Sequence, residues 1–219
     1  MMKKVTLTLA ACLLFNGAAI ADEPAFKWDR ATLKLIAAGD AAKGKQVAKE
    51  QKCSKCHGDT GVSEEDDTPS IAGQVPSYHF KQLMDYQSGH RDSKTMAKVA
   101  RKLTREDMAD LAAHFAAQKP EPAMKQGKPM LVYEGDMQRL LLPCNVCHGK
   151  NGEGMGFEVP AIAGQKIEHF IETLEAFKEG DRENDHFGRM RFIAEQLSED
   201  EIEELANYYA AKPIEDDDS

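Results

Sequence analysis

The chain has 219 residues, and its 37 Asp and Glu residues outnumber its 28 Lys and Arg residues, which gives a formal net charge of −9. Such an acidic chain disfavours nucleic acid and anionic membrane surfaces as partners, because both repel negative charge. The length allows one or two domains.

The N-terminus has the pattern of a cleaved export signal. Lys3 and Lys4 precede an almost wholly apolar run at residues 5–15, and Ala19-Ile20-Ala21 is typical of a cleavage site. The run is shorter than the roughly 20 residues that a membrane-spanning helix needs. We therefore predict that residues 1–21 are removed and that the mature protein lies in the periplasm.

Cys12 allows a second interpretation of this segment. Leu9-Ala10-Ala11-Cys12 resembles the site at which bacterial lipoproteins are cut and acylated. The residues after Cys12 stay apolar where a lipoprotein has a polar tether, so soluble export is favoured, and peripheral membrane association stays open. Loss of residues 1–21 removes Lys3 and Lys4, which changes the net charge from −9 to −11, and leaves four of the five cysteines.

All four remaining cysteines lie in two Cys-x-x-Cys-His motifs, Cys53–His57 and Cys144–His148. This pentapeptide is typical of c-type haem attachment, in which two thiols form thioethers with the porphyrin and the adjacent imidazole binds the iron. The sequence therefore predicts two covalently bound haem c groups. The predicted thioether residues are Cys53, Cys56, Cys144 and Cys147, and the predicted proximal ligands are His57 and His148.

Three other interpretations of the motifs are weaker. A zinc site usually separates its cysteine pairs by about 15–20 residues, whereas Cys56 and Cys144 lie much further apart. A thioredoxin-like motif needs strand–helix–strand patterning, which the flanks lack. Disulfides are compatible with export, but they give no reason for a His after each pair.

The two motifs belong to an internal repeat. A shift of 91 positions carries Cys53 onto Cys144, and the same shift carries Ile71–Gln74 onto Ile162–Gln165. Three extra residues in the second copy then raise the shift to 94. A series of matches at a fixed spacing indicates that one domain has been duplicated. Each copy is small for an apolar core of its own, so haem is expected to be part of the core.

The spacing of apolar residues predicts helices throughout. Residues 40–52, approximately, are predicted to form a first helix that leads to the first motif. The apolar residues of Pro76–Ser88 and Ile167–Glu179 also have helical spacing, and a glycine follows each of these two segments. Thr104–Asp107 and Ser198–Glu201 have the pattern of capping boxes that begin last helices of about 14 residues. No segment alternates as a strand does, so the fold class is all-α.

Met96 and Met190 are the predicted distal iron ligands. They are equivalent in the repeat, and each is placed in a loop between the middle helix and the capping box, from which a thioether can reach the porphyrin. The other interpretation is that they are ordinary core methionines. His186, in the three-residue insertion, is the remaining alternative ligand for the second haem.

Three further pairs are predicted to support the haems. The carbonyls of Pro69 and Pro160 could accept a hydrogen bond from the proximal imidazoles. Arg91 and Arg182 could pair with the propionates, although solvated arginines are nearly as consistent with the pattern. Gln74 and Gln165 could bind propionates or each other across the domain junction. Among the charged segments, Glu64–Asp67 could steer a basic partner.

The predicted domain organisation follows from the repeat. It comprises a signal peptide (1–21), an N-terminal extension (22–38), a first domain (39–117), a proline-containing linker (118–130), a second domain (131–212) and an acidic tail (213–219).

In combination, the tandem Cys-x-x-Cys-His motifs, the Pro-x-Ile-Ala-Gly-Gln segments, a Gly-x-Arg and a distal Met resemble the dihaem cytochromes c of the c4 type. The resemblance covers residues of about 39–211. It implies two class I cytochrome c domains related by a pseudo-twofold axis, with His57–Met96 and His148–Met190 ligation. The N-terminal extension and the longer loop before Met190 depart from the pattern.

The resemblance also implies a function. The expected role is a periplasmic electron carrier, without catalysis of its own, between the quinol-oxidising bc complex or other donors and a terminal oxidase or reductase. A second hypothesis is the dihaem subunit of an oxidoreductase, such as a sulfide-oxidising flavocytochrome with a flavoprotein partner. A third is a haem enzyme, a peroxidase or a thiosulfate-type dehydrogenase, which would need a labile distal position.

Overall fold

The structure is a computed structural model, and it describes residue 26 and residues 28–210. The predicted signal peptide, Cys12 and the acidic tail lie outside the described residues. Within the described part, the chain forms eleven α-helices and a 3₁₀ turn at His186–Gly188, and its β structure is limited to isolated bridges. The helices are α1 (Arg30–Ala37), α2 (Ala41–Gln51), α3 (Ser54–His57), α4 (Pro76–Ser88), α5 (Lys94–Ala100), α6 (Arg105–Ala116), α7 (Met130–Tyr133), α8 (Cys144–His148), α9 (Ile167–Glu179), α10 (Arg189–Ala194) and α11 (Glu199–Tyr209). The all-α prediction is confirmed.

The predicted helix ends agree with local chemistry. Helices α4 and α9 have the predicted bounds, and each ends at a glycine with positive φ, Gly89 at 84° and Gly180 at 82°. Both capping boxes are formed, at Thr104 and at Ser198. Helices α6 and α11 have 12 and 11 residues rather than the predicted 14 or so.

In the first repeat unit, called domain 1 below, α2 crosses α6 at close range. A Cβ atom on Gly44 would lie 2.0 Å from the carbonyl oxygen of Asp110, so only glycine allows this approach of the two backbones. Helix α6 also packs on α4 around Phe80, Met108 and Phe115, all of which are buried. These helices form one wall of the cavity that the first Cys-x-x-Cys-His motif lines.

The second repeat unit, domain 2, lacks most of the corresponding first helix. Only α7 is helical there, and Gly135, the counterpart of Gly44, has a φ of 71° in a turn before the Asp136–Leu141 bridge. Arg139 anchors this turn to α11, because its guanidinium donates to both carboxylate oxygens of Glu201 at 2.7 and 3.0 Å. Domain 2 differs from domain 1 here, because the ion pair of Arg139 with Glu201 takes the place of the helix crossing.

The two domains meet through a reciprocal contact. The Gln74 side chain donates to the carbonyl of Ala161 at 3.0 Å and accepts from its N–H at 2.9 Å. The Gln165 side chain makes the same pair of bonds to Ser70, at 3.0 and 2.8 Å. Since each partner is the repeat equivalent of the other, the interface has pseudo-twofold symmetry.

The N-terminal extension contacts both domains. Helix α1 packs on α4 and α6, with Leu35 and Ile36 against the core of domain 1. Before it, Trp28 donates a hydrogen bond to Glu158 and meets the Phe157 ring edge-on at 5.7 Å, both in domain 2. The extension therefore gives the two domains a second connection besides the glutamine contact.

Candidate haem sites

Each Cys-x-x-Cys-His motif forms a short helix that presents its His to a cavity. The ring Nδ1 of His57 donates to the carbonyl of Pro69 at 2.8 Å, and the Nδ1 of His148 donates to that of Pro160 at 3.0 Å. A carbonyl can only accept, so Nδ1 carries the proton and Nε2 keeps its lone pair. In each domain the second ring nitrogen is therefore free to bind a metal.

Burial favours the neutral form of both imidazoles. Desolvation lowers the pKa of His57, which is 8 % exposed, and lowers the pKa of His148, while the proline carbonyls oppose the shift. A neutral imidazole is the form that coordinates a metal. The surroundings of both rings therefore suit iron ligation at ordinary pH.

The two methionines that are predicted as distal ligands lie in short helices and not in loops, which corrects their predicted placement. Met96 is the third residue of α5, and Met190 is the second residue of α10. In both cases a side-chain oxygen from the preceding segment accepts from the methionine N–H, from Ser93 at 3.2 Å and from Asp185 at 2.9 Å. A helix fixes the direction of the side chain more tightly than a loop does.

The described residues line a continuous cavity of about 1410 Å³ that spans both domains. This volume exceeds the roughly 300–1,000 Å³ of a pocket for one small ligand. Its lining includes all four motif cysteines, the two prolines and both candidate ligand pairs, His57 with Met96 and His148 with Met190. A thiol pair, an imidazole and a thioether in each half are the donor set that haem c requires, so the residues fit two such groups.

Polar side chains occupy the part of the cavity wall at the domain interface. The Arg182 guanidinium donates to the Tyr78 hydroxyl at 2.9 Å and to Gln82 Oε1 at 3.1 Å, and Arg91 donates to the same Gln82 oxygen at 2.7 Å. Both arginines line the cavity, as do Gln74 and Gln165. Their contacts with propionates stay predictions, and each of the four side chains also has protein partners.

The sequence reasoning missed the group of polar residues on α4. Lys81 and Asp85 are 9 % and 3 % exposed and form an ion pair at 2.6 Å, and both contact Asn184 of domain 2. Two opposite charges four residues apart on a predicted helix were the available signal. Their role depends on Asn184, which lies about 100 residues further along the chain, so local sequence could not predict it.

His186, the alternative ligand for the second haem, lines the same cavity as Met190. His186 lies against the Phe187 ring and 3.3 Å from a Glu158 carboxylate oxygen. Within residue 26 and residues 28–210, no three His, Cys, Asp or Glu side chains group as a metal-binding cluster. None of the helices described there is long and apolar enough to cross a membrane.

The cytochrome c family profile matches the chain twice, at residues 41–119 and 138–210. Cytochrome c4 of Pseudomonas aeruginosa is 36 % identical over 183 residues, which cover 78 % of this chain and 88 % of that relative. The chain belongs to the dihaem cytochrome c4 family. The crystal structure of reduced recombinant cytochrome c4 from Pseudomonas stutzeri agrees with this, with a TM-score of 0.74, 31 % identity and coverage of 80 % of this chain and 100 % of that one.

Two relatives carry a more specific description. A thiosulfate dehydrogenase electron acceptor of Stutzerimonas stutzeri is 34 % identical over 167 residues, which cover 72 % of this chain and 77 % of that protein. The thiosulfate dehydrogenase TsdBA from Marichromatium purpuratum has a TM-score of 0.70 and 28 % identity, and the match covers 79 % of this chain and 40 % of that one.

Membership of the cytochrome c4 family confirms the class I fold, the two covalently bound haem c groups and the role in electron transfer. It also makes the chain an electron carrier and not an enzyme. The tandem arrangement predicted from the repeat is thereby confirmed.

Proposed function

We propose that this protein carries electrons in the periplasm between a respiratory donor, a quinol-oxidising bc complex or another dehydrogenase, and a terminal oxidase or reductase. The observation that carries the proposal is the single cavity lined by two equivalent donor sets. A carrier with two redox groups in one continuous cavity can accept an electron at one group and release it from the other.

We propose His57 with Met96 and His148 with Met190 as the iron ligands, and Cys53, Cys56, Cys144 and Cys147 as the attachment sites. Bound haem c supplies an iron that changes between the ferrous and ferric states. The proline carbonyls hold each imidazole with its Nε2 toward the cavity, and Met thioethers favour a high reduction potential. If His57 with Met96 and His148 with Met190 hold the two irons, the chain itself would supply both ligands to each iron and leave no position open for a substrate.

The buried side chains keep water away from the ligands. Phe115 stacks with His79 at 5.5 Å in domain 1, and Tyr209 stacks with Phe170 at 6.0 Å in domain 2. These two pairs are repeat equivalents and line the cavity. A dry, rigid surround lowers the reorganisation that accompanies a change of charge, which suits a carrier.

A redox titration of the purified holoprotein, followed by visible absorbance, tests the proposal. We expect one or two waves at high potential and slow or absent carbon monoxide binding by the reduced protein. Met96→Ala and Met190→Ala serve as a matched pair, and each should lower one wave and remove the Met–iron charge-transfer band of one haem. A strongly negative wave in the unaltered protein, or rapid carbon monoxide binding, would contradict the carrier function.

The relatives described as thiosulfate dehydrogenase electron acceptors favour a second candidate, in which the donor is a thiosulfate dehydrogenase. Mixing the oxidised protein with such an enzyme and thiosulfate should then reduce both haems within seconds. Reduction by a bc complex and not by this enzyme would reject the candidate. Co-purification with a flavoprotein would instead favour the flavocytochrome alternative.

A further inference from the structure

The three-residue insertion in domain 2 lies directly before the proposed ligand Met190. The repeat shift is 91 up to Arg182 and 94 from Met190 onward, so the additional residues fall within 183–189. This segment contains Asn184 and Asp185, which make more hydrogen bonds than the corresponding short segment of domain 1. An insertion usually lengthens a mobile loop, but these side chains attach this one to its surroundings.

The Asp185 carboxylate holds the backbone of Met190. Its Oδ2 accepts from the N–H of Met190 at 2.9 Å and from that of Arg191 at 3.1 Å, and its Oδ1 accepts from Arg191 Nε at 2.9 Å. The Asp185 side chain is only 4 % exposed. Hydrogen bonds to a buried carboxylate are among the stronger ones in proteins, so they fix the first turn of α10 and the methionine within it.

Asn184 attaches the same segment to domain 1. Its side-chain N–H groups donate to Asp85 Oδ2 at 2.7 Å and to Gln82 Oε1 at 3.0 Å, and its backbone carbonyl accepts from Lys81 Nζ at 2.7 Å. Its side-chain oxygen accepts from Arg182 Nε at 2.9 Å. Asn184 thus adds hydrogen bonds to both members of the buried Lys81–Asp85 ion pair, which makes the contact costly to break.

Domain 1 has no equivalent arrangement within the described residues. The N–H of Met96 is held by the neutral hydroxyl of Ser93, three residues earlier. In the same part of the structure, the hydrogen bonds of Gly89–Met96 have partners in domain 1, such as the bond from Arg91 to Gln82. The distal segment of one haem is therefore held across the domain interface, whereas that of the other is held locally.

From these contacts we propose that Asn184 and Asp185 are positioning residues that keep Met190 on the second haem iron, and that domain 1 provides part of this restraint through Lys81 and Asp85. The proposal rests on the ligand assignment made under the proposed function. It makes the stability of the second Met–iron bond depend on the docking of the two domains.

Carbon monoxide binding to the reduced holoprotein measures this restraint, because carbon monoxide enters only when Met190 leaves the iron. We expect Asp185→Ala and Asn184→Ala each to raise the binding rate at one of the two haems at least tenfold, which corresponds to about 1.4 kcal/mol of easier opening. Asp185→Ala should also reduce the Met–iron charge-transfer band by up to half. Asp185→Asn retains one acceptor oxygen and should give an intermediate rate, which keeps the test valid if Asp185→Ala does not fold.

Two variants serve as controls. Glu183→Gln alters an exposed neighbour in the same segment, 67 % exposed and 3.3 Å from Arg191, and should leave the rate unchanged. Met190→Ala gives the rate for a haem without its distal ligand. If Met190→Ala does not open a haem to carbon monoxide, the ligand assignment fails. If it does, and the Asn184 and Asp185 variants lose thermal stability but keep the slow rate and the full band, these residues are merely structural and the positioning proposal is wrong.

Discussion

The reciprocal glutamine contact gives a quantitative prediction for domain docking. Gln74→Ala removes two hydrogen bonds to Ala161 and one to the N–H of Val75, at 2.9–3.0 Å. At about 1 kcal/mol net for each bond, the free energy of unfolding should fall by about 2–3 kcal/mol. Gln165→Ala should have an equal effect, because it removes the equivalent bonds to Ser70 and Lys166.

Urea unfolding of the holoprotein, followed by far-ultraviolet circular dichroism and by haem absorbance, measures this effect. In the variants the two signals should also separate, because the domains lose part of their mutual stabilisation. Gln138→Ala is the matched control, since its side chain is exposed and its change should stay within about 0.5 kcal/mol. A change below 0.5 kcal/mol for both interface variants would refute the assignment of docking energy to these bonds.

Three further predictions concern stability. Burial, with smaller contributions from nearby histidines, lowers the pKa of His79 to about 4. Because the His79 imidazole takes up a proton at higher pH in the unfolded chain than in the folded one, the free energy of unfolding should fall as the pH drops from about 6.5 to 4. The expected decrease is on the order of 3 kcal/mol. His79→Phe, the residue type at the repeat equivalent, should flatten this part of the pH profile of the unfolding free energy. Gly44→Ala should lower the free energy of unfolding by about 2 kcal/mol or more, measured by thermal unfolding. The new Cβ would lie 2.0 Å from the backbone oxygen of Asp110, and this overpacking outweighs the better helix propensity of alanine. Trp28→Ala should lower the free energy of unfolding by about 1–2 kcal/mol and speed proteolysis of the N-terminal extension. The variant loses the hydrogen bond to Glu158 and the aromatic contact with Phe157.

Each of these predictions has a contradicting outcome. For His79→Phe, the contradicting outcome is a slope of unfolding free energy against pH that stays unchanged between pH 4 and 6.5. The pH dependence would then come from His169, because burial lowers the pKa of that residue to about 3. For Gly44→Ala, a gain in stability equal to that of Ala at an exposed helix site would mean that the two helices can separate freely. For Trp28→Ala, an unaltered cleavage rate would mean that the extension is held by α1 alone.

Much of this protein follows from local sequence. The cofactor is determined by adjacent residues, because the thiols and the imidazole of Cys53–His57 must act on one porphyrin. The bounds of α4 and α9 were predictable for the same reason, since a glycine that accepts positive φ ends each helix within its own turn. The duplication was also evident, because a constant shift needs no structure to detect.

What the repeat could not determine was how equivalent residues of the two copies differ in their structural surroundings. Gly44 and Gly135 are equivalent in sequence, but one lies in a helix crossing and the other in a turn anchored by Arg139 to Glu201. The choice depends on the packing partner of each segment, which is distant along the chain. The distal methionines were placed in loops for a related reason, since their short helices depend on caps and on tertiary packing more than on propensity.

The sequence by itself determined the cofactor, the number of domains and the helical class, because these depend on covalent chemistry and short-range periodicity. The tertiary structure alone decided how the domains dock and what holds the second distal methionine. Asn184 acquires its partners Lys81 and Asp85 only when the domains meet, because the energy of a buried polar group depends on neighbours that only the folded chain provides.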